Sequence, residues 1–293
     1  DDDYITLYPS AYLTYNLNEK NVLQLSYSRR VDRPSLEQTK PIREFSTPLV
    51  TSYGNQELRP QFTNSVEVNY TKTLEKGSIT AGVFVRAIND QISRTLSPDP
   101  TNEYKQLLGF ANYDHNSAYG FDISANYKIT KWWDIQPSVD FSSINQQGVI
   151  FEINPDSGES EPKGKTVTTS AFNARMNSNF KPTKRLSFLL FGFYRGGVEE
   201  VQQHRNEMYK MDIGSRYTLL DNKMNISVRF NDVFNTMKYS FEGVSPYPQT
   251  GQFTWESQTV YLGLTYNFGG AKIKKLERKQ REENTNQGGG GMF

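Results

Sequence analysis

The chain has no cysteine and only two histidines, His115 and His204. The first absence removes disulfides, zinc–thiolate centres and thiol nucleophiles together. The second leaves little for general acid–base chemistry or imidazole ligation of a metal. No run of about 18 apolar residues exists, so no stretch of the sequence can cross a bilayer as a helix. Neither sign of charge is in excess. The 33 Lys and Arg against 32 Asp and Glu give a formal net charge of +1, and no field that would draw a nucleic acid. No Gly-rich loop between a strand and a helix offers a phosphate cradle. Asp1-Asp2-Asp3 opens the chain without Met or signal peptide, as in a mature product or a piece of a longer polypeptide.

Aromatic residues are abundant, with 18 Tyr and 18 Phe, although only 35% of the 293 residues are hydrophobic. A membrane-spanning β-wall has this composition, because only every second residue of a strand meets lipid. Alternation is the dominant pattern. Val260, Leu262, Leu264, Tyr266 and Phe268 share one face against Tyr261, Gly263, Thr265 and Asn267. Met224, Ile226, Val228 and Phe230 oppose Asn225, Ser227, Arg229 and Asn231, and Trp133, Ile135, Val139 and Phe141 oppose Asp134, Gln136, Ser138 and Asp140. Period 2 is the signature of strands.

Short turns at 17–20, 74–77, 129–131, 181–184 and 220–223 alternate with long polar connections at 32–60, 96–103, 147–164, 198–206 and 237–252. A soluble antiparallel sheet with one wet face shares the alternation, but has no reason to sort its connections by length. An outer-membrane barrel does, with short periplasmic turns and long extracellular loops. The pattern predicts an all-β, transmembrane antiparallel barrel wall of eleven strands, near 4–16, 21–31, 61–73, 77–95, 104–128, 131–146, 165–180, 185–197, 207–220, 223–236 and 253–268. Residues 104–128 are read as one long strand, bulged at Asp114-His115-Asn116, because two wall strands there would break the alternation of turns.

Mid-strand charges support an inner and an outer face. Glu67, Arg86, Asp122, Asp140, Arg175, Asp212, Arg216 and Arg229 all fall opposite the apolar set of their strand, as they must where Arg or Lys facing lipid costs about 2–4 kcal/mol. In 185–193 both faces are apolar and the facing is open. Eleven is odd, and an unclosed edge in hydrocarbon leaves backbone groups unpaired. The expectation is that upstream strands, or another chain, complete the wall.

Several stretches resemble one family. Gly54-Asn55-Gln56-Glu57-Leu58-Arg59-Pro60-Gln61 resembles the GNPxLxPE stretch of TonB-dependent outer-membrane receptors. Ser28-Arg29-Arg30-Val31-Asp32-Arg33-Pro34-Ser35 is similar to the SRRxxRPS stretch of its Bacteroidota branch. Asn112 through Gly120-Phe121-Asp122 resembles the N…GxE strand, and Asn231-Asp232-Val233-Phe234-Asn235 the NxF(N/D) near the family's end. Gln56, Gln61 and Asp122 depart from the usual Pro, Glu and Glu. The resemblance implies the C-terminal half of a barrel of about 22 strands, spanning 1–270, in the outer membrane of a Gram-negative bacterium. It implies ligand capture by extracellular loops and energised uptake past a plug. It implies as partners the lipid and lipopolysaccharide, the upstream strands and plug of the same chain, a periplasmic energy-coupling protein, and outer-membrane or surface-lipoprotein subunits. The competing reading is a non-transporting barrel that scaffolds a protein complex.

No catalytic, cofactor-binding or metal-binding residue is expected. Asp114-His115 is a poor base–carboxylate pair, since neighbours in a strand point oppositely, and His204 reads as a solvated loop residue. Asp156, Gly158, Glu159 and Glu161 have calcium-type oxygens without EF-hand spacing, and a solvated loop is the plainer account. Arg86, Arg175, Arg216 and Arg229 are the candidates to line a substrate path. Against this stands pairing with Asp122, Asp140 and Asp212, or with the plug. Residues 271–293, basic and then Gly-rich, read as a periplasmic tail that is disordered or docks a partner.

Overall fold

The computed structural model describes residues 6–100, 102–114, 116–154 and 159–268. His115, Asp156, Gly158 and the 271–293 tail therefore lie outside the described residues. In chain order the elements are β1 (Ser10–Asn18), β2 (Asn21–Asp32), α1 (Leu36–Thr39), β3 (Glu44–Thr47), β4 (Val50–Ser52), β5 (Gln61–Leu74), β6 (Gly77–Asn89), β7 (Gln91–Asp99), β8 (Asn102–Tyr113) and β9 (Asn116–Lys128). Then follow β10 (Trp133–Ile153), β11 (Ser160–Phe180), β12 (Leu186–Arg195), β13 (Val198–Glu199), β14 (Gln203–Arg205), β15 (Met208–Leu219), β16 (Met224–Asn231), β17 (Lys238–Gly243), β18 (Gln249–Thr254) and β19 (Thr259–Tyr266).

Eleven of these strands form one antiparallel sheet in the order β1-β2-β5-β6-β9-β10-β11-β12-β15-β16-β19. This is the expected wall. Its registers carry one apolar face from strand to strand: Leu13, Leu25, Val68, Val83, Phe121, Phe141, Phe172, Tyr194 and Tyr209 are on it, as are Val228 and Leu262. Only Leu58, Ala171 and Val198 are buried hydrophobic residues among those described, while Leu262 is 78% exposed. A single-layer sheet with so little core and so much open apolar surface is built for lipid. Clustered rings border the band. Trp132, Trp133 and Phe180 cluster beside the 181–184 turn, and Phe121–Phe141 and Phe172–Tyr194–Tyr209 lie higher. Trp133 and Phe141 of β10 belong to the two clusters; the strand between them spans roughly 20 Å of membrane normal at ~3.3 Å per residue and a tilt of ~40°.

The remaining strands form two four-stranded sheets at the long-loop end, β3-β4-β8-β7 and β13-β14-β17-β18, which we call the crown. They correct three expectations. The strand expected over 77–95 ends at Asn89, because Asp90 takes a left-handed φ of 53° and turns β7 out of the wall. The single strand expected over 104–128 is two, β8 in the crown and β9 in the wall. The alternation of turns survives because the β7–β8 hairpin never enters the membrane. The connection expected at 147–164 is mostly strand: β10 and β11 have 21 residues each and pair from Trp133↔Phe180 to Ile153↔Ser160. Registers also decide the open facing: Leu186, Phe188 and Leu190 join the lipid face, and Leu189, Phe191 and Phe193 the ionic one.

Candidate functional site: the ionic face and its crown

The face turned from lipid carries charges in two sectors. Glu67, Asp122, Asp134 and Asp140 lie on β5, β9 and β10, with Arg86 among them on β6. Arg86 meets Glu67 at 3.4 Å and stacks on Phe84 at 4.4 Å. Gly120 lets this happen, since a Cβ there would come within 2.9 Å of the Phe84 ring and 2.2 Å of the Phe141 carbonyl oxygen. Asp140 accepts from the Asn173 amide at 2.7 Å.

The second sector, on β11 to β16, is cationic and aromatic. One cross-strand row reads Arg175, Phe193, Lys210, and the next reads Asn177, Phe191, Asp212. The Lys210 ammonium sits 5.8 Å from the Phe191 ring. Asp212, 1% exposed, accepts from Lys210 at 3.1 Å, Arg229 at 2.9 Å and the Asp232 amide at 2.9 Å. Of the four candidate arginines, Arg86 and Arg229 are thus ion-paired, whereas Arg175 and Arg216 have no ion-pair partner among the described residues. Arg195, at the top of β12, lies within electrostatic reach of Arg205, Glu200 and Tyr239. Tyr239, Phe241 and Phe253 form a ring cluster on the crown face that also carries Arg205.

Apart from Gly120-Phe121-Asp122 on β9 and residues 28–32 on β2, the recognised sequence stretches sit elsewhere, at the joints between wall and crown. Ser35 caps α1 in a reciprocal capping box with Gln38, directly after Arg33 and Pro34. The Gly54 amide donates to the Lys40 carbonyl at 3.1 Å and the Asn55 amide to that of Gln38 at 2.7 Å. Glycine is required there, as a Cβ would lie 2.4 Å from the Lys40 carbonyl oxygen. Asn55 donates to the Phe110 carbonyl at 3.0 Å, Leu58 is buried, and Pro60 leads into β5. Asn112 exchanges two hydrogen bonds with the Arg59 backbone and donates to the Asp90 carbonyl. At the other joint Asn231 donates to Thr259 at 2.9 Å and Phe234 is 65% exposed. The fully buried Asp232 between them accepts from Ser257 Oγ at 2.6 Å, Thr236 N at 2.9 Å, Met237 N at 3.0 Å and Thr236 Oγ1 at 3.2 Å. Burial alone would raise the pKa of this carboxyl, but those donors outweigh it and hold it below the usual carboxylate range.

His204 pairs with Glu199 at 2.7 Å on the crown, and no group of three metal-type ligands exists among the described residues. Sequence reasoning missed Arg195, Arg205 and the crown aromatics. The alternation of the rings in 238–243 and 249–254 is visible, but a connection rich in Gly, Pro and Gln masks it.

A sequence model of the Outer membrane protein beta-barrel family matches residues 1–266. No curated protein sequence matches the chain. Among solved structures, the ferric enterobactin receptor PfeA of Pseudomonas aeruginosa is similar at TM-score 0.54 and 14% identity, over 89% of this chain and 40% of that one. The siderophore receptor PirA of the same organism gives 0.57 and 13%, over 89% and 42%. The copper transporter OprC gives 0.58 and 12%, over 88% and 39%. At these identities the likeness is one of fold, and the chain spans about two fifths of each.

Proposed function

The chain belongs to the outer membrane protein beta-barrel family, and on that premise we propose that it forms the C-terminal half of a TonB-dependent receptor-like uptake channel, of the type found in Bacteroidota. Further strands of the same polypeptide close the wall at β1 and β19, and a plug fills the lumen. Lipid and lipopolysaccharide surround the barrel, a periplasmic coupling protein energises it, and residues 271–293 form a periplasmic tail. The crown selects the ligand. The observation that carries this reading is the sector of Arg175, Lys210, Arg195 and Arg205 interleaved with Phe191, Phe193 and Tyr239. Cations without full counter-charge interleaved with aromatic side chains suit an anionic ligand with planar groups. The solved relatives are named for ferric enterobactin, siderophores and copper, which makes anionic metal chelates the first class to offer. Arg216, without an ion-pair partner among the described residues and near the periplasmic turn, continues the cationic path downward.

The test is uptake by cells carrying the full-length protein against a deletion strain. Energy-dependent accumulation of an anionic chelate, reduced in Arg175→Ala, is expected. A full-length chain with neither plug nor coupling segment would sink the transport reading. A stoichiometric set of partners that survives detergent, with no ligand-dependent phenotype, would favour a scaffold.

A further inference from the structure

Strand β10 outgrows its neighbour. The last β9–β10 pair is Ser117↔Asn145, and above it the β10 edge has no strand partner among the described residues. Residues 147, 149 and 151 point their backbone groups at that edge. Each is capped by a side chain from a different segment: the Gln147 amide donates to Asn116 Oδ1 at 2.5 Å, the Val149 carbonyl accepts from Gln202 Nε2 at 3.0 Å, and the Phe151 amide donates to Ser245 Oγ at 2.7 Å. Across a gap lies the free edge of β7. There Gln202 repeats the pattern, with Oε1 accepting from the Leu96 amide and Nε2 donating to the Leu96 carbonyl, both at 2.8 Å. One carboxamide thus stands in for a strand residue between two edges that do not pair with each other.

The gap lies on the ionic side of the wall. Gly148 shares the parity of Asp134 and Asp140, and a Cβ on it would come within 2.9 Å of both Val201 methyl carbons. The Glu199 amide donates to Thr169 Oγ1, on the same face, at 3.0 Å. The loop between β12 and β15 therefore folds over the lumen behind the β10–β11 hairpin and reaches the β7–β8 hairpin on its far side. A further link between the two crown sheets is the hydrogen bond from Gln249 Nε2 to Gln106 Oε1, at 3.1 Å.

We propose that the Gln202 side chain is the latch that holds the two crown sheets together across the mouth of the lumen. Three of the bonds that close the mouth converge on its two polar atoms. Every group it releases is outside the membrane, where water takes over the hydrogen bonds. Opening therefore costs only the net difference between protein and water partners. Closure by strand pairing would be permanent by comparison, while closure by one side chain is reversible. The proposal concerns access alone; it deepens the receptor reading without requiring transport.

The experiment uses the full-length protein in intact cells, with a single reporter cysteine at Val167→Cys on the ionic face of β11, above the plugged part of the lumen and between the points where Val201 and Glu199 meet the wall, and a control at Thr166→Cys on the outer face of the same strand. The probe is a membrane-impermeant maleimide carrying a bulky polymer. Gln202→Ala and the isosteric Gln202→Glu, which sets an oxygen in place of Nε2 against the Leu96 and Val149 carbonyls, should speed labelling at position 167 by about tenfold or more, the equivalent of one net hydrogen bond. Labelling at 166 should stay as it was, which also shows that the barrel is assembled. If Gln202→Ala does not assemble, the isosteric variant carries the test. Labelling at 167 within about twofold of the parent in an assembled Gln202 variant overturns the latch. A mouth that opens in these variants while no ligand is taken up would leave the latch standing and count against transport.

Discussion

Replacing Asp232 by Asn tests whether the NxF-type stretch is a structural joint. The change is isosteric and removes one acceptor. The carboxylate now serves two backbone amides and two hydroxyls, the Thr236 pair on Oδ1 and Met237 N with Ser257 Oγ on Oδ2. Ser257 can turn its hydroxyl round and accept, and Thr236 Oγ1 keeps the Tyr209 carbonyl at 2.9 Å. A backbone amide cannot adapt. Whichever way the new amide flips, either Thr236 N or Met237 N faces an NH2 group. Losing a charge-assisted bond costs about 1.5–3 kcal/mol and stranding a buried donor about 1–3 kcal/mol, offset in part by no longer burying a charge. A net of about 2–4 kcal/mol raises the local opening constant roughly 30- to 1,000-fold. Amide exchange in the full polypeptide, folded in detergent micelles, reads it at Thr236 and Met237. Acid should imitate the substitution. The folded-state pKa is depressed, so the stabilisation is whole above the ordinary carboxylate range and fades as pH falls through the lowered value. Unchanged exchange at both amides in Asp232→Asn, at neutral pH, would refute the joint.

The facing assignment makes a paired prediction. Ile123→Arg, on the lipid face of β9, should cost about 2–4 kcal/mol in denaturant titrations in lipid vesicles, while Ser124→Arg should be nearly silent because Ser124 opens on a cavity of about 220 Å³ bounded by Ser78, Thr80 and Gln136. Gly54→Ala presses a methyl against the Lys40 carbonyl and should cost about 1–3 kcal/mol, read as faster proteolysis within 33–60 with the wall intact. Gly120→Ala collides with the Phe141 carbonyl oxygen and the Phe84 ring, so the folded fraction in detergent should drop, and more than for Ala at the roomier Gly214, whose Cβ would meet its nearest neighbour at 3.6 Å.

The wall was legible because its chemistry is periodic. Lipid demands an apolar residue at every second position, and that demand is written along each strand. The crown was not, for the same reason. β7 and β8 alternate just as the wall does, so nothing in the pattern marks where a strand leaves the membrane. The departure rests on Asp90, whose short polar side chain tolerates a left-handed backbone. Turn-forming residues facing one another at Asn89-Asp90 and at Asp114 were the available signal. In 185–193 no single-strand pattern could decide the facing, because β12 turns aromatic residues both to lipid and to the lumen. Only the registers with β11 and β15 separate Phe188 from Phe191.

What is recognisable in the sequence and what would select a ligand on the proposed receptor reading occupy different places. Gly54, Asn55, Asn112, Gly120, Asn231 and Asp232 all act on backbone or on neighbouring strands, and each fixes a close approach or a capped amide that any crown on this wall would need. The polar side-chain atoms of Asn55, Asn112 and Asp232 are already committed to these bonds. Arg175, Arg195 and Arg205 fall in no recognised stretch, and the crown rings near them lie in segments that read as ordinary connections. A ligand can be bound only by groups that the fold leaves available. Its determinants are therefore to be sought among the residues that resemble nothing, and changes at Arg175 or Tyr239 should alter selectivity while leaving the barrel unharmed.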